Sequence, residues 1–133
     1  MILVDTSVLL DVVEDDEVWA DWSQQQLEAA RLRGPLAINP VIYAELSMAY
    51  ERIEVLDRVV KAADLREIPI PREALFLAGK VFLQYRRRKG ARRGVLPDFF
   101  IGAHAAVARV PLLTRDLRRY QTYFPTVEIL GAS

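Results

Sequence analysis

Four acidic residues stand out by position: Asp5, Glu45, Asp98 and Asp116. Asp5 ends the apolar run Ile2-Leu3-Val4 and is followed by two hydroxyls, Thr6 and Ser7. Asp116 closes Leu112-Leu113-Thr114-Arg115 in a similar way. A carboxylate at the C-terminal tip of a buried strand lies where open α/β sheets place their ligands. Glu45 has Val41, Ile42, Met48 and Ala49 at helical spacings of three and four, so it interrupts an otherwise apolar face. Asp98 follows Pro97 at the start of the most apolar helical stretch of the chain. Structural roles compete with chemical ones. Asp98 and Asp116 each suit a helix N-cap, worth about 1 kcal/mol over alanine, and Glu45 taken alone could reach solvent or an arginine.

Bringing such acids together is unfavourable without compensation. Two carboxylates about 5 Å apart repel by roughly 3 kcal/mol at an effective dielectric of ~20. A cluster of this kind persists by holding protons or cations. One histidine and no cysteine leave an all-oxygen donor set, which selects a hard cation, Mg2+ or Mn2+. Thr6, Ser7 and Thr114 can orient the carboxylates or a metal-bound water. A divalent ion held this way can clamp a phosphodiester and activate water against it. No Ser/His or Cys/His pair offers a covalent route instead. His104, six residues after Asp98, reads as a packed histidine, and Trp19 and Trp22 read as packing residues.

The net charge of zero conceals a segregation that bears on the substrate. Residues 1–67 hold 14 acids and 6 bases, a balance of −8; residues 68–133 hold 4 acids and 12 bases, a balance of +8. Six of those bases, Arg86, Arg87, Arg88, Lys89, Arg92 and Arg93, fall in one segment that can track a phosphate backbone. A solvated helix end is the commoner origin of such a run.

The elements that must position these groups follow from the apolar pattern. Short unalternated apolar runs at 2–4, 36–38, 112–114 and 127–130, with a proline-limited one at 67–70, read as strands buried in a parallel sheet. Helices are expected over 8–13, over 17–33 (stopped by Gly34-Pro35), from Pro40 to Arg52 with Asn39 as N-cap, over 53–63, over 72–89 and over 99–109. A short helical or irregular segment covers 117–123. Strands alternating with helices imply an α/β protein. With 133 residues, 52% hydrophobic and 27% charged, the chain forms one domain, 1–133. No cysteine, no signal-peptide pattern and no apolar run of about 20 residues lead to the expectation of a cytoplasmic protein that does not enter a membrane.

The motifs Val4-Asp5-Thr6-Ser7, Asn39-Pro40-Val41-Ile42-Tyr43-Ala44-Glu45-Leu46, Leu96-Pro97-Asp98-Phe99-Phe100-Ile101-Gly102-Ala103 and Leu113-Thr114-Arg115-Asp116, in that order, resemble the PIN-domain family. The resemblance is in particular to the VapC-like toxin ribonucleases of prokaryotic toxin–antitoxin pairs, and it covers essentially the whole chain. The resemblance implies a PIN-like three-layer α/β/α sandwich with a mostly parallel sheet of about five short strands. It implies a Mg2+- or Mn2+-dependent endoribonuclease with Asp5, Glu45, Asp98 and Asp116 as acidic quartet and Thr6, Ser7 and Thr114 as supporting polar residues. RNA contacts then fall to the basic run Arg86 to Arg93 and to Arg115. A homodimer and a cognate antitoxin protein that inserts a segment into the active-site groove are further implications.

Two readings of other classes compete. A Mg2+-dependent phosphatase would want a second acid two residues after Asp5, where Ser7 stands. A response-regulator receiver would want acids before its strand-end aspartate and a late lysine, and neither is present. The other reading is a catalytically silent PIN scaffold that binds RNA or protein, against which the intact quartet argues.

Overall fold

The computed structural model describes residues 1–88 and 95–131. Among them, five three-residue strands form one sheet: β1 (Ile2–Val4), β2 (Leu36–Ile38), β3 (Leu65–Glu67), β4 (Leu112–Thr114) and β5 (Ile129–Gly131). Their order is β3-β2-β1-β4-β5, and every neighbouring pair is parallel. The connections are helical: α1 (Thr6–Val13), α2 (Ala20–Arg33), α3 (Pro40–Ser47), α4 (Ile53–Ala62), α5 (Arg72–Arg87), α6 (Leu96–Ala108) and α7 (Leu117–Tyr123). Parallel strands need such crossovers, and the result is the three-layer α/β/α sandwich expected from the sequence.

The apolar strands lack alternation because both their faces are covered. All residues of β1, β2 and β4 are buried. The chain builds outward from β1 to β2 and β3, then crosses back to place β4 and β5 on the other side of β1. The reversal falls between β1 and β4, which opens a crevice beyond their C-terminal ends. Behind it, α5, α6 and α7 lock through Phe82, Tyr85, Phe99, Tyr123 and Phe124, whose rings pack at centroid separations of 5.1 to 6.2 Å. Gly102 makes that approach possible. A Cβ there would lie 2.3 Å from Cδ2 of Phe124.

Several boundaries differ from the sequence reading, each for a local reason. Helix α2 starts at Ala20, because the Asp16 carboxylate accepts the backbone N–H groups of Val18 and Trp19 at 3.0 and 2.8 Å and closes a turn ahead of it. Helix α3 stops at Ser47, whose hydroxyl donates to the Ala44 carbonyl at 2.6 Å, and Met48 beyond it is 79% exposed. Strand β3 lies at Leu65–Glu67 rather than 67–70. Ile68 still donates to Ile38 O at 2.9 Å, and Pro69 then has no N–H with which to extend the ladder. Helix α5 ends at Arg87, and β5 begins at Ile129.

Helix α6 starts three residues earlier than expected, with Val95 as N-cap and Pro97 inside the first turn. Asp98 is therefore not an N-cap. It stands within the helix, and its side chain is directed to other partners.

Candidate active site

The four acids reach one pocket from four different elements. Asp5 follows β1, Glu45 lies on α3, Asp98 sits in the first turn of α6, and Asp116 follows β4 as N-cap of α7. All four line a cavity of about 370 Å³ together with Thr6, Ser7, Leu10, Arg115 and Arg119. Asn39 places Glu45: its side-chain oxygen accepts the Ile42 N–H at 2.9 Å and fixes the start of α3. That same bond orients the amide, so its nitrogen donates to Nδ1 of His104 at 3.1 Å. His104 is thus a packed residue, 2% exposed, with its ring proton on Nε2.

The hydroxyls hold the carboxylates in place, as their positions suggested. Thr114 Oγ1 donates to Asp5 Oδ2 at 2.7 Å and accepts the Asp116 N–H at 3.0 Å, joining two of the acids. Thr6 Oγ1 donates to Glu45 Oε1 at 2.6 Å. Ser7 adds a 3.3 Å bond to Asp5. Asp116 fulfils both roles weighed for it, since it caps α7 through the Arg119 N–H at 3.3 Å and also lines the pocket.

The electrostatics are those of crowded, partly dry carboxylates. Burial pushes Asp5 up to about 6 against the Thr114 bond, and the negative charges of Asp98 and Glu45 add to the rise. Burial also raises Glu45 and Asp98, opposed by Thr6 for the first and by Arg119 for the second. Tyr120, buried beneath them, is held well above the usual phenol range by burial and then by Asp5, Asp98 and Asp116. Its hydroxyl lies 3.4 Å from Asp98.

Two guanidinium groups in the pocket escaped the sequence reading in whole or in part. Arg119 bridges the Asp98 and Asp116 carboxylates, the second at 3.5 Å. Its i,i+3 spacing from Asp116 was the available signal. Arg115, foreseen as an RNA contact, pairs with Asp11. Asp11 is an acid within the apolar run Val8 to Val13, the same anomaly that singled out Glu45, and is 4% exposed. Of the basic run, Arg86, Arg87 and Arg88 are exposed at the end of α5 and do not line the pocket. Lys89, Arg92 and Arg93 lie outside the described residues.

The donor set suits a hard divalent cation in kind: carboxylate and hydroxyl oxygens, with no sulfur and no ring nitrogen facing the pocket. Among the described residues, however, no three such side chains are drawn together closely enough to enclose an ion in this arrangement. The cause is visible in the contacts. Asp98 is turned to Arg119, and Glu45 and Asp5 to Thr6 and Thr114.

Comparison with known proteins agrees with this architecture. The family model for the PIN domain matches residues 2–125. The fold is similar to that of VapBC2 from Rickettsia felis bound to a DNA fragment from its promoter (TM-score 0.71, 19% identity, 97% of each chain). It is also similar to a toxin–antitoxin complex from Klebsiella pneumoniae (0.70, 23%, 96% of this chain and 95% of that one). VapBC-1 from nontypeable Haemophilus influenzae is a third such structure (0.70, 15%, 97% and 96%). No curated protein sequence matches.

Proposed function

The chain belongs to the PIN-domain family, and from that premise we propose that it is a Mg2+- or Mn2+-dependent endoribonuclease, the toxin of a toxin–antitoxin pair. The observation that carries the reading is the convergence of Asp5, Glu45, Asp98 and Asp116 on one pocket at the β1/β4 crevice. Asp5, Asp98, Asp116 and Glu45 would hold the cation, which would supply Lewis-acid activation of water and of the phosphodiester. The chain's own residues do the positioning. Thr114 fixes Asp5 and Thr6 fixes Glu45, and a bound cation would oppose the upward push that burial and the neighbouring carboxylates exert on the Asp5 pKa. Arg115 and Arg119 on the rim can meet the phosphates of the substrate.

An antitoxin protein as partner is supported by the fold likeness to toxin–antitoxin complexes. A homodimer is supported by Leu75, Phe76 and Leu83 of α5, exposed at 44%, 69% and 44%. No described helix is long and apolar enough to cross a membrane.

The decisive experiment is RNA cleavage by purified protein with added Mg2+ or Mn2+, compared with Asp5→Asn. Loss of cleavage in a folded variant is expected. Cleavage retained by Asp5→Asn overturns the assignment of the site, and no cleavage by the wild type with either ion leaves an RNA- or protein-binding scaffold.

A further inference from the structure

Arg115 is the most firmly held cation at the pocket rim. Its Nε and Nη2 donate to Oδ2 and Oδ1 of Asp11 at 2.9 and 3.0 Å, and its guanidinium lies 4.9 Å from the centre of the Trp19 ring. Asp11 takes a third bond, from Ser23 Oγ at 2.7 Å. A two-point bridge and a stacked ring together fix the plane of the guanidinium, which a free surface arginine does not have. One edge of the fork is committed to Asp11; among the described residues no side chain bonds Nη1.

Arg115 borders two cavities. Arg115 and Asp116 line the acidic pocket and also a neighbouring cavity of about 410 Å³, whose remaining walls are Leu117, Arg118, Gln121 and Thr122. The volume falls within the range of about 300–1,000 Å³ of small-molecule sites. The charge balance differs between the two. The acidic pocket sets four carboxylates against two guanidiniums, whereas the second cavity sets Arg118 and Arg115, the latter partly balanced by Asp11, against Asp116. Asp116 is itself engaged by Arg119 and by its cap bond. A polyanion that reaches the acidic pocket therefore finds its next favourable position across Arg115.

We propose that the second cavity is a subsite for the RNA backbone beside the scissile bond, with Arg115 and Arg118 contacting phosphate and Gln121 within reach of sugar or base. Asp11 and Trp19 are its positioning residues, acting through Arg115. The proposal rests on the ribonuclease reading and adds where the strand runs. It assigns the path to α7 and the β4 tip, not to the exposed arginines that end α5.

The test is binding of a fluorescently labelled single-stranded RNA to the Asp5→Asn protein with Mg2+ present, measured by anisotropy over a series of salt concentrations. Adding Arg118→Gln, at an exposed position, lowers the salt slope by about 0.7, the share of one phosphate contact on a single strand. Adding Asp11→Asn separates positioning from bulk charge. It makes the protein one unit more positive, so non-specific attraction predicts tighter binding, whereas release of Arg115 predicts binding weaker by roughly tenfold, the loss of one charge-assisted contact. Trp19→Leu, which changes no charge, weakens binding in the same direction and serves where Asp11→Asn fails to fold. An unchanged slope for Arg118→Gln, or tighter binding by Asp11→Asn, overturns the subsite. If wild-type protein cleaves RNA in the presence of that result, the ribonuclease reading stands without it; if wild-type protein cleaves no RNA, both fall.

Discussion

Asp5→Asn should stabilise the metal-free protein at neutral pH. Asp5 is 5% exposed and its folded pKa is pushed up from 3.8 to about 6. A carboxylate whose folded pKa lies above its unfolded one imposes no penalty below about pH 4. The penalty grows as pH rises toward 6, and is complete above it. A shift of about two units corresponds to about 3 kcal/mol. Asparagine keeps an acceptor for Thr114 and removes the charge, but its new amide N–H groups lack an obvious buried partner, which returns about 1–2 kcal/mol. The net gain is about 1–2 kcal/mol, or roughly 4–8 °C in Tm for a domain of this size. Paired thermal melts of wild type and Asp5→Asn in a chelator, from pH 4 to pH 8, should show the gain at pH 7.5 and its disappearance near pH 4. Saturating Mg2+ should raise the wild type selectively. A variant that is less stable than wild type by the same margin at every pH would refute the reasoning, because the charge of Asp5 would then not be under strain.

Arg119→Gln should tighten Mn2+ binding in the absence of RNA by roughly fivefold, since it removes a cation that holds Asp98 and Asp116 at a cost comparable to one partly exposed ion pair; titration calorimetry reads this directly, and equal affinities would show that the guanidinium does not compete. Gly102→Ala should lower stability by about 1–3 kcal/mol in a denaturant melt, because the new methyl would meet the ring of Phe124. Burial lowers the pKa of His104, so the wild type should lose stability as pH falls below about 6.5, where the unfolded chain binds the proton first. His104→Gln should remove that part of the pH dependence, and an identical pH profile would argue that His104 already protonates in the fold.

The sequence disclosed the acids because each violates a local rule. Asp5 and Asp116 end buried strands, and Glu45 breaks an apolar helix face. It disclosed the central strands β1, β2 and β4 because both their faces are covered and their sequences are apolar up to the closing Thr114, whereas the edge strand β3, Leu-Arg-Glu, carries no such pattern. It did not disclose the helix start at Leu96, because Asp98 after a proline satisfies the statistics of a cap while the helix begins one turn's worth of contacts earlier. Nor did it disclose the pairings of Arg119 and Arg115. A bond such as Arg115 to Asp11 joins residues 104 apart, and nothing in local pattern specifies which arginine meets which acid. The violation at Asp11 is legible on the same grounds as that at Glu45, since both acids interrupt apolar helical runs.

The bond from Thr114 to Asp5 joins residues 109 apart at the seam between β1 and β4. During translation β1, β2 and β3 emerge first, and the inner strand β1 keeps one edge open until residue 112 has been made. Asp98, Asp116 and Arg119 arrive in the last third of the chain, so no nascent or prematurely ended polypeptide short of them can assemble the pocket. The pocket is therefore complete only once residue 119 has been made, and every shorter polypeptide lacks part of its lining.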